Sequence, residues 1–266
     1  MLGVIIIIIV AVIIGIVALM LMLNRKKIIK LFKTGNCIVT GHKGRGKDIL
    51  FSFVTNYRYR KAREWYISNV DYTGNKNYDK FDFANMGLGG NTYDDFLNDT
   101  LKAYEYKGIE KADFYIADAG VYLPSTYHDK LVKKYGSVPL FMAIVRHLCN
   151  SNVHCNIQNL GRLWDKVREQ ADYYIDCKWC KVLFGKFVIQ QVVVYDTYES
   201  ALQRLMPMKV PRNLLFKNKE AKAMNAMRMA DKGLIKKMFI VSKLPPKSKR
   251  YDTRYFKKIL AKGSVK

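Results

Sequence analysis

Residues Leu2 to Leu23, LGVIIIIIVAVIIGIVALMLML, form a run of 22 without a single charge. As a helix this run extends about 33 Å at roughly 1.5 Å per residue, enough for one crossing of a bilayer core. Arg25, Lys26, Lys27, Lys30 and Lys33 follow at once, while nothing basic precedes the run and no small-residue cleavage site closes it. A removable signal peptide fits that layout poorly. The expectation is a transmembrane anchor over residues 1–24 and a basic juxtamembrane segment over 25–34. The positive-inside rule then leaves the N-terminus outside and everything after Asn24 in the cytoplasm. Phe187 to Tyr195 is also apolar, but it is short and holds Gln190 and Gln191, so it reads as a strand.

The formal charge of +24 implies an anionic partner, either nucleic acid or a lipid headgroup surface. That charge is unevenly shared. Residues 71–120 carry ten acids and five bases, net −5, whereas residues 206–266 carry eighteen bases and three acids, net +15. Pro207, Pro211, Pro245 and Pro246 punctuate this last stretch, and PPKSKR reads as an exposed linker. Residues 201–266 are therefore expected to form a basic C-terminal tail. Within it, Met224, Met227, Leu234 and Met238 fall near one face of a helix spanning Asn218 to Met238. Such a helix would lie on a membrane, bind DNA or pack on the core.

Between anchor and tail, strands and helices alternate. NCIVTG (36–41) is a short apolar run ending in Gly, and 46–59 has helical spacing at Ile49, Leu50, Phe53 and Val54. EWYISNV, DFYIAD, VHCNIQ and DYYID read as further strands. Helices are expected through Leu140, Ile144 and Leu148 and around Leu163 to Glu169, and a hairpin turns near Gly185. This order predicts an α/β fold over residues 35–200, with a mainly parallel sheet flanked by helices and preceded by one transmembrane helix.

The stretch TGHKGRGKDIL sits between the first strand and its helix. Gly41, Gly46 and Lys47 match G-x-x-x-x-G-K, so the backbone of Gly41, His42, Lys43, Gly44, Arg45 and Gly46 is placed to wrap a phosphate. Lys47 would reach its outer oxygens, as in the P-loop of ATP-binding proteins. Asp48 stands where Ser or Thr is usual. A carboxylate there is a stronger ligand for Mg2+, yet it repels phosphate when the metal is absent. Asp118 ends the strand FYIAD, where a second metal-holding acid belongs, and Gln158 ends HCNIQ, where a polar group can face the γ-phosphate. Ala119 follows Asp118 where many such ATPases have a water-orienting Glu; Asp113 and Asp129 are the acids available as substitutes.

GNCIVTGHKGRGKDILF, FYIADAGVYLPS, FMAIVRHLCNSNVHCNIQN and LWDKVREQADYYIDC occur in that order. In this the chain resembles the Zot-like (zonula occludens toxin domain) phage morphogenesis proteins, of the FtsK–HerA class of P-loop motors, over about residues 35–200. The resemblance implies phosphate binding by Gly41 to Asp48, metal binding by Asp118, and γ-phosphate sensing by Gln158. Arg146 and Arg168 become candidates to stabilise transferred charge across a subunit boundary in a homo-oligomeric ring. It further implies a host inner-membrane ATPase that moves DNA in phage packaging or extrusion and meets coat or capsid proteins. The membrane span comes first here, whereas filamentous-phage members are expected to carry it within or after the ATPase region.

Two rival readings stand beside this one: a nucleotide-binding assembly scaffold without hydrolysis, and a basic membrane adaptor that binds no nucleotide. Cys177 and Cys180 form C-K-W-C, and with His147, Cys149, His154 and Cys155 they sketch a zinc site. The second group straddles a helix end and a strand, where ligands point different ways, so incidental or buried thiols are expected instead.

Overall fold

The computed structural model describes residues 2–59, 63–72, 77–80, 108–123, 125, 142, 150–196 and 234–243. The first helix, α1 (Leu2–Thr34), runs unbroken through the apolar stretch and the basic segment behind it. Its two halves differ in surroundings. From Val4 to Leu23 nearly every large side chain is exposed, and the helix is long and apolar enough to cross a membrane. From Asn24 onward it docks on the rest of the chain, with Ile28 and Phe32 fully buried. Residues 25–34 are thus the docking turns of α1 as well as its basic end.

Among the described residues, eight strands form one sheet in the order β3-β2-β4-β5-β1-β6-β7-β8. They are β1 (Cys37–Thr40), β2 (Glu64–Ser68), β3 (Tyr78–Lys80), β4 (Lys111–Ile116), β5 (Val153–Ile157), β6 (Tyr173–Leu183), β7 (Phe187–Tyr195) and β8 (Leu234–Lys243). β1 to β6 pair in parallel, and β7 and β8 add antiparallel at one side. The expected α/β architecture with a mainly parallel sheet is therefore present.

Side chains alternate between the two faces with period two. Cys37, Val39, Tyr115, Val192 and Val194 join a core with Ile28 and Phe32 of α1, and with Leu50, Phe51 and Val54 of α2 (Lys47–Arg58). Ile38, Phe114, Ile116, Val193 and Tyr195 point the other way. There they meet Leu160 and Leu163, Trp164, and Val167 of a short helix that follows β5. Both faces are covered, which is why the central strands read as continuous apolar runs.

Three expectations are corrected here. DYYID is not a separate strand: it continues into the first arm of the hairpin as the single eleven-residue β6, kinked by a bulge between Cys177 and Trp179. Leu234 and Met238 lie on a strand rather than a helix. β8 pairs with β7 from Tyr195↔Leu234 to Phe187↔Lys243 and buries Met238 and Ile240. Alternate apolar residues facing a sheet outweigh the four-residue spacing that suggested a helical face. Consequently 201–266 is not tail throughout, since its middle completes the sheet. The helix expected through Leu140, Ile144 and Leu148 and the segment 218–233 lie outside the described residues.

A buried polar knot ties the ends of α1, α2 and β4 together at the amino edge of the sheet. Arg58 pairs with Asp113 at 2.6 Å, with neither side chain appreciably exposed. Tyr59 donates its hydroxyl to Asp113 at 2.5 Å, and Asn152 donates its backbone N–H to the same carboxylate at 2.8 Å. Arg58 also donates to the Phe32 carbonyl at 2.5 Å, which fixes the end of α1.

Candidate functional site

At the carboxyl edge of the sheet, β1 runs into residues 41–46 and straight on into α2. Gly41, Gly44 and Gly46 have φ of 138°, 80° and 86°, a region that L side chains rarely adopt. Space demands glycine as well. A Cβ on Gly41 would stand 2.6 Å from the Cys177 carbonyl, and one on Gly46 would stand 2.9 Å from Cys180 Cβ and Gln190 Nε2. Cys177 and Cys180 are therefore the floor on which this loop rests. Gln190 of β7 braces it by donating to the Gly46 and Arg45 carbonyls at 2.9 and 3.2 Å.

Lys47 opens α2, and its ammonium turns back over the loop to reach the Gly41 and His42 carbonyls at 2.8 and 3.3 Å. His42, Lys43 and Gly44 are exposed at the crest, with Arg45 half-buried behind them. The helix begins with the backbone N–H groups of its first turn, a buried cation at its first position, and a left-handed loop wrapped around that cation. This is the cradle that an anionic phosphate requires.

Two carboxylates flank it. Asp48 is half-buried, and burial pushes its carboxyl up to about 6; nearby Asp118 adds to the rise, while Lys47 and a hydrogen bond from Asn156 oppose it. Asp118 is likewise raised by burial, with Lys47 opposing. Two acids crowded into a partly dry edge favour a hard cation between them, and their oxygen donors suit Mg2+.

Asn156 organises the pair. Its Nδ2 donates to Asp48 Oδ1 at 2.8 Å, and its Oδ1 accepts the Asp118 backbone N–H at 2.7 Å. Asn69 clamps the preceding peptide from the other side, accepting from Ala117 N at 2.8 Å and donating to Ala117 O at 3.1 Å. Held this way, Asp118 sits at φ 49°, and its side chain is not used to cap the short helix α3 (Ala119–Tyr122) that follows. Tyr72, buried beneath, accepts from Asn156 Nδ2 at 3.4 Å.

The site residues expected from sequence thus fall into three groups. Gly41 to Asp48 and Asp118 share one edge of the sheet, and Gln158 lies on the same edge, exposed, one residue past β5. Arg168 was expected to act across a subunit boundary. It lies in α4 (Asp165–Glu169) against the opposite face, where its Nη1 donates to the Leu160 carbonyl at 3.4 Å. Arg146 and Asp129 lie outside the described residues. Asp113 is ruled out as a replacement for the missing Glu: it is fully buried against Arg58 at the amino end of β4, five residues from Asp118. Asn156, Asn69, Tyr72 and Gln190 were not anticipated. Only a polar residue in an otherwise apolar strand, as at Asn156 and Gln190, hinted at them.

No protein-family model matches the chain, and no curated protein matches it. Among solved structures, the N-terminal domain of zonular occludens toxin from Neisseria meningitidis aligns at 12% identity and a TM-score of 0.45, covering 84% of this chain and 96% of that one. The DNA-packaging ATPase of Sulfolobus turreted icosahedral virus aligns at 14% identity and a TM-score of 0.43, covering 62% and 93%. A KaiC-like protein from Pyrococcus horikoshii aligns at 11% and 0.37, covering 62% and 80%.

Proposed function

We propose that this chain is a membrane-anchored P-loop ATPase that binds Mg2+–ATP at residues 41–48 and couples its hydrolysis to the movement of viral DNA. The observation that carries the reading is the turn-back of the Lys47 ammonium over a left-handed glycine loop, beside the Asp48 and Asp118 carboxylates. Lys47 and the N–H groups opening α2 would hold the β- and γ-phosphates, and Asp48 and Asp118 would hold the metal. Bound Mg2+ would supply the charge neutralisation that lets Asp48 sit beside a triphosphate. Asn156 holds Asp48 beside Asp118, and Gln158, one residue past the neighbouring strand, would sense the γ-phosphate. Arg146 or Arg168 would act on the nucleotide of an adjacent copy in a ring of the FtsK–HerA kind. ATP turnover of the full chain in lipid, with and without DNA, tests this. The reading expects turnover that DNA accelerates and that Lys47→Ala abolishes.

A scaffold that binds nucleotide without hydrolysing it is the second reading. It is favoured by fully buried Ala119 at the position after Asp118 and by the engagement of Asp113 elsewhere. Nucleotide binding with no turnover under any DNA condition would select it.

DNA is the proposed partner of the basic C-terminal residues. β8 must be spared in any test, so truncation after Lys243 is the useful change; it removes eight bases and one acid. Each base that neutralises a phosphate releases a counterion, so the truncated chain should bind DNA more weakly and with a flatter salt dependence. Unchanged affinity and slope would assign these bases to anionic lipid instead. For topology, protease added outside intact spheroplasts should spare residues 25–266; digestion from outside would overturn a cytoplasmic site.

A further inference from the structure

The β6–β7 hairpin, with β8 alongside it, rises beyond the parallel strands of the sheet and ends in an apolar tip. Phe184 is 93% exposed, Val182 54%, Phe187 46% and Leu183 37%, with Lys181, Lys186 and Lys243 exposed around them. The turn itself does not call for this residue. Phe184 and Gly185 occupy successive left-handed positions, φ 49° and 64°, closed by Lys186 N donating to Leu183 O at 3.2 Å. That geometry favours Asn or Asp before Gly, and a bulky side chain at positive φ is uncommon. Folding would be served better by a small polar residue than by an exposed ring.

The position of the tip supplies a reason. α1 climbs from the amino edge of the sheet, where Asn152 and Lys111 donate to the Lys33 carbonyl, to β8, where Asn24 donates to the Phe239 carbonyl at 3.2 Å. Phe239 pairs with Gln191, which pairs with Trp179, three residues beyond Asp176, the partner of the last residue of β1. The helix therefore leaves the domain toward the carboxyl edge, and its charge-free stretch begins at the next residue, Leu23. The hairpin rises from that same edge. Only four steps along β8, about 13 Å at roughly 3.3 Å each, take Phe239 to Lys243, which pairs with Phe187 at the tip.

We propose that the β6–β7 hairpin tip is a second membrane contact, with Phe184, Val182, Leu183 and Phe187 entering the headgroup–acyl boundary of an anionic bilayer and Lys181, Lys186 and Lys243 meeting its phosphates. An aromatic and aliphatic tip collared by lysines matches that boundary chemically. Two contacts on one edge fix the domain's tilt, which a single helix leaves free, and hold the loop at residues 41–46 close beneath the membrane. The proposal rests on α1 spanning the bilayer.

The test uses the full chain in vesicles of phosphatidylcholine and phosphatidylglycerol with brominated acyl chains. Two variants, Phe184→Trp and Val12→Trp, are read as fluorescence differences from the parent chain. The expected result is loss of the added emission by bromolipid for both, with the Phe184→Trp signal blue-shifted and shielded from aqueous iodide. Quenching of Val12→Trp alone, with Phe184→Trp open to iodide, overturns the hairpin contact and leaves the anchor intact. A Phe184→Trp signal reached by neither quencher means that protein covers the tip, which also overturns it. Quenching of neither variant by bromolipid removes the anchor reading as well. Phe184→Asn, which suits the turn, should preserve the unfolding midpoint, while Leu183→Trp in that background should lose its bromolipid quenching.

Discussion

Asn156 Nδ2 donates to Asp48 Oδ1 at 2.8 Å, joining positions 108 residues apart, while the other end of the same amide holds the backbone of Asp118. One neutral side chain therefore fixes the spacing of both proposed metal ligands. Asn156→Ala removes both bonds and leaves buried groups without them, an effect of about 1–3 kcal/mol on stability. It should weaken Mg2+-dependent nucleotide binding more than binding without metal. Isothermal titration with and without Mg2+ checks this, and equal weakening in both would argue against a metal role for the pair.

The glycines of the loop should differ in their tolerance. Gly44 has open space around a would-be Cβ, so Gly44→Ala carries only the left-handed strain, about 1–2 kcal/mol. Gly46→Ala adds collisions with Cys180 and Gln190 at 2.9 Å. Nucleotide affinity should fall further for Gly46→Ala than for Gly44→Ala. Equal losses would mean that the floor formed by β6 and β7 does not constrain the loop.

Breaking the ion pair at the other edge should cost stability. Asp113→Ala leaves the buried Arg58 guanidinium uncompensated, an effect of about 3–5 kcal/mol. Because Arg58 also holds the Phe32 carbonyl, the docking turns of α1 should loosen. Urea unfolding of the detergent-solubilised chain measures the first effect, and hydrogen exchange at residues 28–34 the second. A midpoint unchanged from the parent would contradict the account.

Acid should destabilise the fold through His154. The ring is fully buried between Phe32 and Tyr115, and its Nδ1 accepts the Cys37 N–H at 3.3 Å. Burial, helped by Arg58 and Lys111, holds the imidazole well below its usual range. The unfolded chain takes up this proton below about pH 6.5 and the folded chain does not. Stability from this group is therefore present above that pH and lost below it, at about 1.4 kcal/mol per pH unit. Comparing urea midpoints between pH 7.5 and 5 in the parent chain and His154→Gln checks this; the substitution should flatten the dependence.

How far the sequence foretold this structure depends on which signal each residue carries. Val39, Ile116 and Ile157 lie in apolar runs bounded by turn residues, so their strands were legible, and Lys47 was legible because glycines at fixed spacing precede it. β8 was not, because Leu234 and Met238 stand four apart as on a helix, while the alternation of Met238, Ile240 and Ser242 faces the sheet. β3 is three residues long, too short for any period to register. Asn156 and Gln190 were missed for a different reason: their roles depend on what the topology sets beside them, namely Asp48 and the loop carbonyls.

Equilibrium binding of Mg2+–ATP to the full chain and to Lys47→Ala tests the central claim most directly. Lys47 supplies the only ammonium that the described structure turns into the loop, through its contacts with the Gly41 and His42 carbonyls. Without it the β- and γ-oxygens lose their cation while the surrounding fold is retained. The account predicts saturable binding by the parent chain and none measurable for Lys47→Ala, with unfolding midpoints that remain close. Binding of equal strength by both chains, or by neither, would contradict it.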